Sequence, residues 1–476
     1  MAVGRWLKMI CVGSLAIAIS QVPGPQTPPP GTPLRPSGPL PADSCRVCHG
    51  ELAAHDVLHG PVGVNACNAC HREESVEQHT YSLARPGVEL CTFCHDMTLE
   101  AASVHEPLMM GDCTGCHDPH GGRDRTMLKA ASVDELCASC HGDVLEAGVH
   151  RHGPAAAGAC SVCHEPHVSM HPALLTAPPR DLCLECHVAT GTQLETMRVV
   201  HGPAMVDCGV CHDAHASDHP MMLREEPQTL CLGCHETIRH AVEEANTQHS
   251  AVTSDRQCLN CHDPHGSDHP RVLRTDMRSL CFECHDRPIE LPDGTTLGDI
   301  KTVIESGTSL HGPVAQDNCA ACHMIHGGDN FRMLVQEYPP EFYAPFAEEQ
   351  YALCFSCHDK QLVVDARTTS LTDFRNGDLN LHHLHVNRDK KGRTCRACHE
   401  THASHRDKHI RDSVPFGSGG WELPIGYQKS DTGGSCAPGC HRPYDYDRVT
   451  PLVYPESDRA AIWPSGTDDA TPPDHE

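Results

Sequence analysis

Hydrophobic and polar positions are distributed very unevenly along the chain. The one long apolar run follows Arg5 and Lys8, continues for about a dozen residues and ends near the small residues Ala18 and Ser20. A charged start, an apolar run of this length and small residues after it are typical of a secretory signal peptide. No other segment approaches the roughly 18 apolar residues of a membrane-spanning helix. The pattern predicts a signal peptide at residues 1–20 and an exported, soluble protein without a transmembrane segment in its mature chain.

The remaining apolar segments are too short to predict a conventional core. They are separated by Pro, Gly, Cys and His, and only 4% of the chain is aromatic, whereas it contains 31 Cys and 40 His. Aromatic side chains normally supply much of a protein interior, so something else is expected to fill this one. Residues 21–42 are predicted to form an extended Pro-rich leader. Residues 442–476 predict an acidic, Pro-rich tail.

The cysteines follow one rule throughout the chain. Apart from Cys11 in the apolar run, they form fifteen pairs, and each pair is followed directly by His. Fourteen pairs have the spacing CxxCH and the last has CxxxCH. The paired cysteines are Cys45 and Cys48, Cys67 and Cys70, Cys91 and Cys94, Cys113 and Cys116, Cys137 and Cys140, Cys160 and Cys163, Cys183 and Cys186, Cys208 and Cys211, Cys231 and Cys234, Cys258 and Cys261, Cys281 and Cys284, Cys319 and Cys322, Cys354 and Cys357, Cys395 and Cys398, and Cys436 and Cys440.

This spacing predicts covalent haem. Positions i, i+3 and i+4 share a helix face, so two thiols can bond to the haem vinyl groups while the His binds the iron. A zinc site, a redox pair or a disulfide framework also uses paired cysteines, but none requires His after every second Cys. We therefore expect about fifteen c-type haems (heme c). In the last motif an extra residue rotates His441 off the shared face, and Pro438 and Gly439 supply a local distortion that can restore it.

The histidine after each cysteine pair is the predicted proximal iron ligand. These residues are His49, His71, His95, His117, His141, His164, His187, His212, His235, His262, His285, His323, His358, His399 and His441.

The motifs alternate between two kinds. The unflanked kind follows a short lead, as in "DLCLECH", and the flanked kind has His on both sides, as in "VHGPAMVDCGVCHDAH". Flanked motifs recur every 46 to 50 residues between Cys67 and Cys258, and longer insertions appear later. We predict tandem repeats over residues 43–286 and expanded repeats over residues 287–441.

Pairs such as "CLNCHDPHGSDHP…LCFECH" resemble the doubled-CxxCH family of multihaem c-type cytochromes, over most of residues 43–441. The resemblance implies an electron-transfer protein, rather than an enzyme, with closely packed and mostly bis-His haems. The expected fold is elongated. Short α-helices and irregular coil wrap around a chain of stacked c-type haems, with little or no β-sheet.

Twenty-five histidines remain for the fifteen distal positions. A flanked motif carries one His seven to ten residues upstream and another three residues beyond the proximal His. The downstream His is expected to bind a neighbouring haem, because three residues are too few to pass around a porphyrin. The upstream residues are His59, His105, His152, His201, His249, His311 and His385, and the downstream residues are His120, His167, His215, His265, His326 and His402.

Two haems then need irregular distal ligands. Glu74 occupies the downstream position of the first flanked motif, so His79 or His55 replaces it, and His79 is preferred. Near the other end His405 or His409 is the candidate, and His409 is preferred. His382, His383 and His385 compete for one upstream position, which is assigned to His385.

Two further recurring positions are predicted not to bind iron. His171, His219 and His269 lie seven residues after a proximal His, where other copies carry Asp124 or Asn330. Met127, Met222 and Met333 lie ten residues after it, where other copies carry Leu174 or Val272. A position that accepts Asp or Val is not an obligatory ligand, so the first is interpreted as surface or supporting and the second as packing.

The formal net charge of −27 makes nucleic acid an unlikely partner and favours basic docking faces. Bis-His ligation in negative surroundings predicts low haem reduction potentials.

The main functional hypothesis is an electron conduit between periplasmic or cell-surface redox proteins, such as cytochromes and quinol-oxidising or outer-membrane electron-transfer complexes. The alternatives are a reductase of a small oxyanion or nitrogen compound at one open-faced haem, and a self-associating subunit of an extracellular filament. No CxxCK motif supports the reductase.

Overall fold

The computed structural model describes residues 45–97, 100–146, 148–416, 421–439 and 441–455. The predicted signal peptide, the Pro-rich leader and residues 456–476 of the tail lie outside these residues. The described chain consists mostly of short helices, 3₁₀ turns and coil, and its sheets have only two or three short strands. None of its helices combines the length and hydropathy needed to cross a membrane. The predicted fold class is confirmed in this coarse form, while the boundary at residue 286 stays a prediction.

The chain divides into two compact units, one ending at Leu136 and the other beginning at Cys137. The longest helices, Val133–His141 and Val188–Thr196, have nine residues each. The α-helices that lie entirely within the first unit are Cys45–Cys48, Gly60–Gly63, Glu89–Thr92 and Glu106–Met109. Its strands are Val57–Leu58, His71–Ser75, Thr80–Leu83, Ser103–Val104 and Gly121–Gly122. The pair His71–Ser75 and Thr80–Leu83 forms a hairpin.

The second unit repeats the same kinds of element. Its further α-helices are Gly153–Ala156, Pro179–Leu184, Gly202–Val206, Pro227–Leu232, Ser250–Thr253, Met277–Phe282, Ile300–Ser306, Gly312–Ala315, Ala352–Phe355, Gln361–Val364 and Leu381–Val386, and one π-helix covers His240–Glu244. Its strands are His150–Arg151, Val168–Ser169, Val199–Val200, Ala216–Ser217, Thr247–Gln248, Gly266–Ser267, Ile289–Glu290, Thr296–Leu297, Ser309–Leu310, Gly327–Gly328, Tyr343–Ala344, Arg375–Asn376, Leu379–Asn380, Gly392–Arg393, Ala403–Ser404, Ser413–Phe416, Trp421–Pro424, Gln428–Lys429, Gly433–Cys436 and Tyr444–Asp447.

Strand pairs connect successive flanked motifs. The two residues before an upstream His pair antiparallel with the two residues after the downstream His of the next flanked motif, as Val199–Val200 does with Gly266–Ser267. The same pairing joins Val57–Leu58 to Gly121–Gly122, His150–Arg151 to Ala216–Ser217, Thr247–Gln248 to Gly327–Gly328, and Ser309–Leu310 to Ala403–Ser404. Two-residue strands have no alternating pattern, so the sequence did not predict them.

Close backbone approach selects small residues in these strands. Gly327 has a φ of +150°, and a Cβ there would collide with the carbonyl oxygen of Ala241. Only glycine accepts both the conformation and the contact. The equivalent positions in other pairs hold Gly266 and the buried Ala216 and Ala403.

Among the described residues of the second unit, buried apolar side chains form two small clusters. One contains Tyr338, Tyr351, Val363 and Val386, and the other contains Leu232, Val242 and Val252. Between them runs a continuous cavity of about 3700 Å³ lined by the cysteines and histidines of the last seven motifs. Pockets for a single small ligand measure roughly 300–1000 Å³, so this cavity has room for several large groups.

Candidate haem sites

Each CxxCH motif forms a single turn that gathers its thiols and imidazole on one side. The turn is α-helical in unflanked motifs, as in Pro179–Leu184, and 3₁₀ in flanked motifs, as in Cys208–Val210. In both kinds the His N–H donates to the carbonyl of the first Cys, for example His212 to Cys208 at 3.0 Å. Motif cysteines such as Cys208 and Cys211 are not in disulfide bonds, as attachment of haem requires.

Histidine rings from different motifs face each other in pairs. In the first class, the upstream His of a flanked motif faces the proximal His of the next unflanked motif. Ring centres are 5.8 to 6.2 Å apart and the ring planes are within 21° of parallel. These pairs are His59 with His95, His152 with His187, His201 with His235, His249 with His285, and His311 with His358.

In the second class, the proximal His of a flanked motif faces the downstream His of the next flanked motif. Ring centres are 5.9 to 6.4 Å apart and the planes are within 19° of parallel. These pairs are His71 with His120, His164 with His215, His212 with His265, His262 with His326, and His323 with His402. The downstream His therefore lies against another repeat rather than its own. The roles of His105, His117, His141 and His167 stay predictions.

Two irregular pairs lie near the ends of the repeat array. His49 faces His79 at 6.3 Å with planes 1° apart, and His399 faces His382 at 6.3 Å with planes 17° apart. His79 is the residue preferred from the sequence as an irregular distal ligand. The ring that faces His399 is that of His382, which lies on the same helix, Leu381–Val386, as His385, the residue assigned to the upstream position from the sequence.

The gap between paired rings fits one iron ion. Two metal–imidazole bonds of about 2.0–2.1 Å, with about 1.1 Å from each nitrogen to its ring centre, give a separation of about 6.2–6.4 Å. The observed pairs range from 5.8 to 6.4 Å. The paired rings and the cavity beside the motif cysteines therefore suit haem with an imidazole on each face. Several nitrogens are already oriented for this role.

Six proximal histidines of flanked motifs share a hydrogen bond from Nδ1 to the backbone carbonyl nine residues later. His212 bonds to Met221 at 2.9 Å and His399 to Lys408 at 2.8 Å. The same bond is made by His117, His164, His262 and His323. A carbonyl only accepts, so Nδ1 carries the proton and Nε2 is left for the metal. Such a bond also orients the ring and strengthens its donation.

The accepting carbonyl belongs to a turn in left-handed conformation. Met221 and Met222 have φ of 57° and 60°, and Arg271 and Val272 have φ of 58° and 51°. Left-handed backbone is unfavourable for such side chains, at a cost of order 1 kcal/mol or more per residue. In this turn, the carbonyl of the first residue accepts a hydrogen bond from the proximal His ring. The carbonyl of the second residue accepts one from the N–H of the residue after that His, as Met222 does from Asp213 at 2.7 Å.

Backbone bonds join the two kinds of spare histidine. The N–H of an upstream His donates to the carbonyl of the downstream His from the next flanked motif, as His201 does to His265 at 3.2 Å. The same bond links His59 to His120, His152 to His215, His249 to His326, and His311 to His402. Since His201 faces His235 and His265 faces His212, this bond connects the ring pairs of two consecutive motifs.

Thiols make the complementary connection. The first Cys of an unflanked motif is in hydrogen-bonding contact with the first Cys of the flanked motif that follows, as Cys231 is with Cys258. The other contacts are Cys45 with Cys67, Cys91 with Cys113, Cys183 with Cys208, Cys281 with Cys319, and Cys354 with Cys395. Within each unit, the consecutive motifs that these contacts link are therefore joined alternately through cysteines and through histidines.

His409, the residue preferred from the sequence as the irregular distal ligand near the C-terminal end, does not face a proximal histidine in the way the paired rings do. Its ring is perpendicular to that of His311, with planes 86° apart and centres separated by 5.6 Å, and its buried Nδ1 has no hydrogen-bond partner. It lies ten residues after His399 with a φ of 58°, the position and conformation of Val272 and Met333 in earlier repeats. Aligning the last repeat with the others would have revealed this packing position in the sequence.

Burial keeps several of these imidazoles neutral. It lowers the pKa of His382 and of His402 to about 4, with nearby histidines adding to the effect. A neutral imidazole is the form that coordinates a metal.

The fold and its sites define a multihaem c-type cytochrome, an electron-transfer protein with covalently bound haem. The doubled CXXCH motif family matches residues 59–99, 105–146, 152–192, 201–240, 249–289 and 311–362, more than half of the chain. The chain belongs to this family. Each match begins at an upstream His and includes one flanked and one unflanked motif. Comparison with curated proteins gives no match.

Proposed function

We propose that this protein conducts electrons along about fifteen bis-His haems of low potential, between redox partners in the periplasm or at the cell surface. The observation that carries the proposal is the set of parallel histidine pairs, each spaced for one iron and each including the proximal His of a different motif. When bound, haem supplies reversible one-electron oxidation and reduction of its iron. Filled axial positions favour electron transfer over binding of a small substrate.

The ligand assignment follows from the ring pairs. We assign the two histidines of each pair to the two faces of one haem, with the thiols of the proximal motif holding its edge. For the motif at Cys395 the axial pair is His399 and His382. His409 packs beside this region without acting as an axial ligand.

The alternating contacts support conduction in sequence order. The Cys231–Cys258 contact joins the ninth and tenth motifs, and the bond from His249 to His326 joins the tenth and eleventh. Cys281 and Cys319 then join the eleventh and twelfth. Along this stretch each motif is therefore linked to the next, either directly through cysteines or through the backbone bond between the histidines that face their proximal rings.

Charge favours a basic partner. The chain has a formal net charge of −27, and the propionates of each haem add further negative charge. A positively charged docking face would gain from long-range attraction that weakens as salt screens it. Imidazole donation from both sides and negative surroundings lower the potential by stabilising the ferric state.

A haem count combined with low-temperature EPR tests the function. The denatured protein should have the mass of the mature chain with fifteen haems, and the oxidised protein should give low-spin ferric signals. One resolved high-spin iron in the unmodified protein would instead favour the reductase with an open face. Far fewer haems would refute the conduit.

A further inference from the structure

The last motif lies in a different setting from the others. Cys436 ends the strand Gly433–Cys436, and its neighbour in the sheet is Tyr444 of the strand Tyr444–Asp447. His441 lies in the connection between these strands. Its Nδ1 is 2.6 Å from the carbonyl of Arg442, so this nitrogen carries the proton and Nε2 is available to bind iron. Cys440 lies outside the described residues.

A second imidazole lines the same cavity. His385, Cys436 and His441 all contribute to its wall. The Nδ1 of His385 donates to the carbonyl of Leu381 at 2.7 Å, which again leaves Nε2 for a metal. Burial lowers the pKa of His385 to about 3, and the nearby Arg393 and His441 add to the effect.

Phe374 connects this imidazole to the final sheet. Its ring is stacked on His385 with centres 5.8 Å apart, and it also contacts His382 at 5.1 Å and Tyr446 at 5.1 Å. His382 and His385 are three residues apart on the helix Leu381–Val386 and therefore share a face. His382 already faces His399, which leaves His385 beside the strands that carry the last motif.

The pairing rule of the repeats leads to the same residue. In five flanked motifs the upstream His faces the proximal His of the next motif along the chain, as His311 faces His358. His385 is upstream of the flanked motif at Cys395, and the next motif after that contains His441. The proximal His399 follows the other rule and needs a downstream His from a later flanked motif. The chain has none, so His382 takes that place.

We propose that His385 is the distal ligand of the iron held at the last motif, on the face opposite His441. One short helix then supplies axial ligands to two consecutive haems, through His382 and His385. This junction replaces the backbone bond between histidines that connects haems at the corresponding step of earlier repeats. The assignment rests on the proposed function, because it requires a haem at Cys436 and Cys440.

The test compares His385→Ala with His383→Ala in the complete haem-loaded protein. His383 is the matched control, since it lies on the same helix and its Nδ1 bonds to Val363 at 3.1 Å. His385→Ala should convert about one iron in fifteen to high spin, and added imidazole should restore the low-spin signal. His383→Ala should leave every iron low-spin. Both variants should keep the full haem count by mass. His385→Met, in which Met replaces imidazole, should keep that iron six-coordinate and raise its potential.

Removal of the haem provides the second arm. In a variant with both Cys436→Ala and Cys440→Ala, one haem is lost and His385→Ala should add no high-spin signal. A signal in that background, or none in the single variant, would overturn the assignment. A wild-type protein with fourteen haems and unmodified Cys436 would overturn it too, while leaving the conduit intact. Widespread high-spin iron in the wild type would overturn the conduit itself.

Discussion

Truncation of His265 is the most direct test of how the repeats share ligands. The ring of His265 faces His212 with centres 6.1 Å apart, although the two residues belong to different repeats. His265→Ala removes the imidazole on one side of this gap and leaves the proximal ligand and both thiols of the motif at Cys208. The iron there should become five-coordinate and its potential should rise, because one axial donor is lost.

The expected magnitude is one iron among fifteen, about 7% of the total, as high-spin signal. The fold should tolerate the change, because the bond from the His201 N–H to the His265 carbonyl, at 3.2 Å, involves only backbone atoms. The N–H of residue 265 can also keep its bond to Asp263, at 3.0 Å. Low-temperature EPR measures the spin state, and mass after denaturation measures the haem count, which should be unchanged.

His269→Ala is the matched control. It lies in the same turn, and its N–H bond to Ser267 at 3.0 Å also survives truncation. All irons should stay low-spin in this variant. High-spin iron from His269→Ala with none from His265→Ala would refute the ligand assignment and the sharing of ligands between repeats.

Three further predictions use other features. Protein made without haem attachment should show no cooperative thermal melt, because it cannot fill the cavity of about 3700 Å³; a sharp calorimetric transition would contradict this. Acid should destabilise the protein, because burial and iron binding both hold His402 unprotonated in the folded protein, whereas the unfolded chain binds a proton there as the pH falls below about 6.5. Stability should be fully present above pH 6.5 and fall towards pH 4, which an acid titration followed by unfolding free energy would measure. Gly327→Ala should destabilise by about 2–3 kcal/mol, because of the φ of +150° and the collision with Ala241, whereas Gly312→Ala, with open space around its Cβ, should leave the melting temperature nearly unchanged.

The cysteine motifs and the two classes of spare histidine could be recognised in the sequence. Haem chemistry fixes the positions of these residues within each repeat, so they recur visibly. The downstream His was also expected to serve another haem, because three residues cannot span a porphyrin. Which ring it would face was not predictable, since that depends on pairs such as Val199–Val200 with Gly266–Ser267, and two-residue strands leave no periodic signal.

The C-terminal region was harder to read for a different reason. The low overall aromatic content conceals a local concentration, in which Tyr338, Phe346 and Tyr351 pack together. This packing accompanies the long insertions, and there the usual spacing no longer identifies the residue that faces His399. The left-handed turns were equally invisible, because Val272 with a φ of 51° contradicts the intrinsic preference of a β-branched residue.

The sharing of histidines between repeats has a consequence for how such a chain can change in length. In the proposed ligand assignment, a flanked motif completes a site in the preceding repeat and depends on the following repeat for its own, as the facing rings of His212 and His265 illustrate. Duplication or deletion of one whole interior two-motif unit would preserve every such partnership, whereas loss of half a unit would leave an iron without its second imidazole. Among the ring pairs of the described residues, the irregular ones lie near the ends of the repeat array and use His79 and His382. A gene encoding this arrangement can therefore evolve longer or shorter conductors by recombination between its interior repeats, because each two-motif unit already contains the histidines that the arrangement needs.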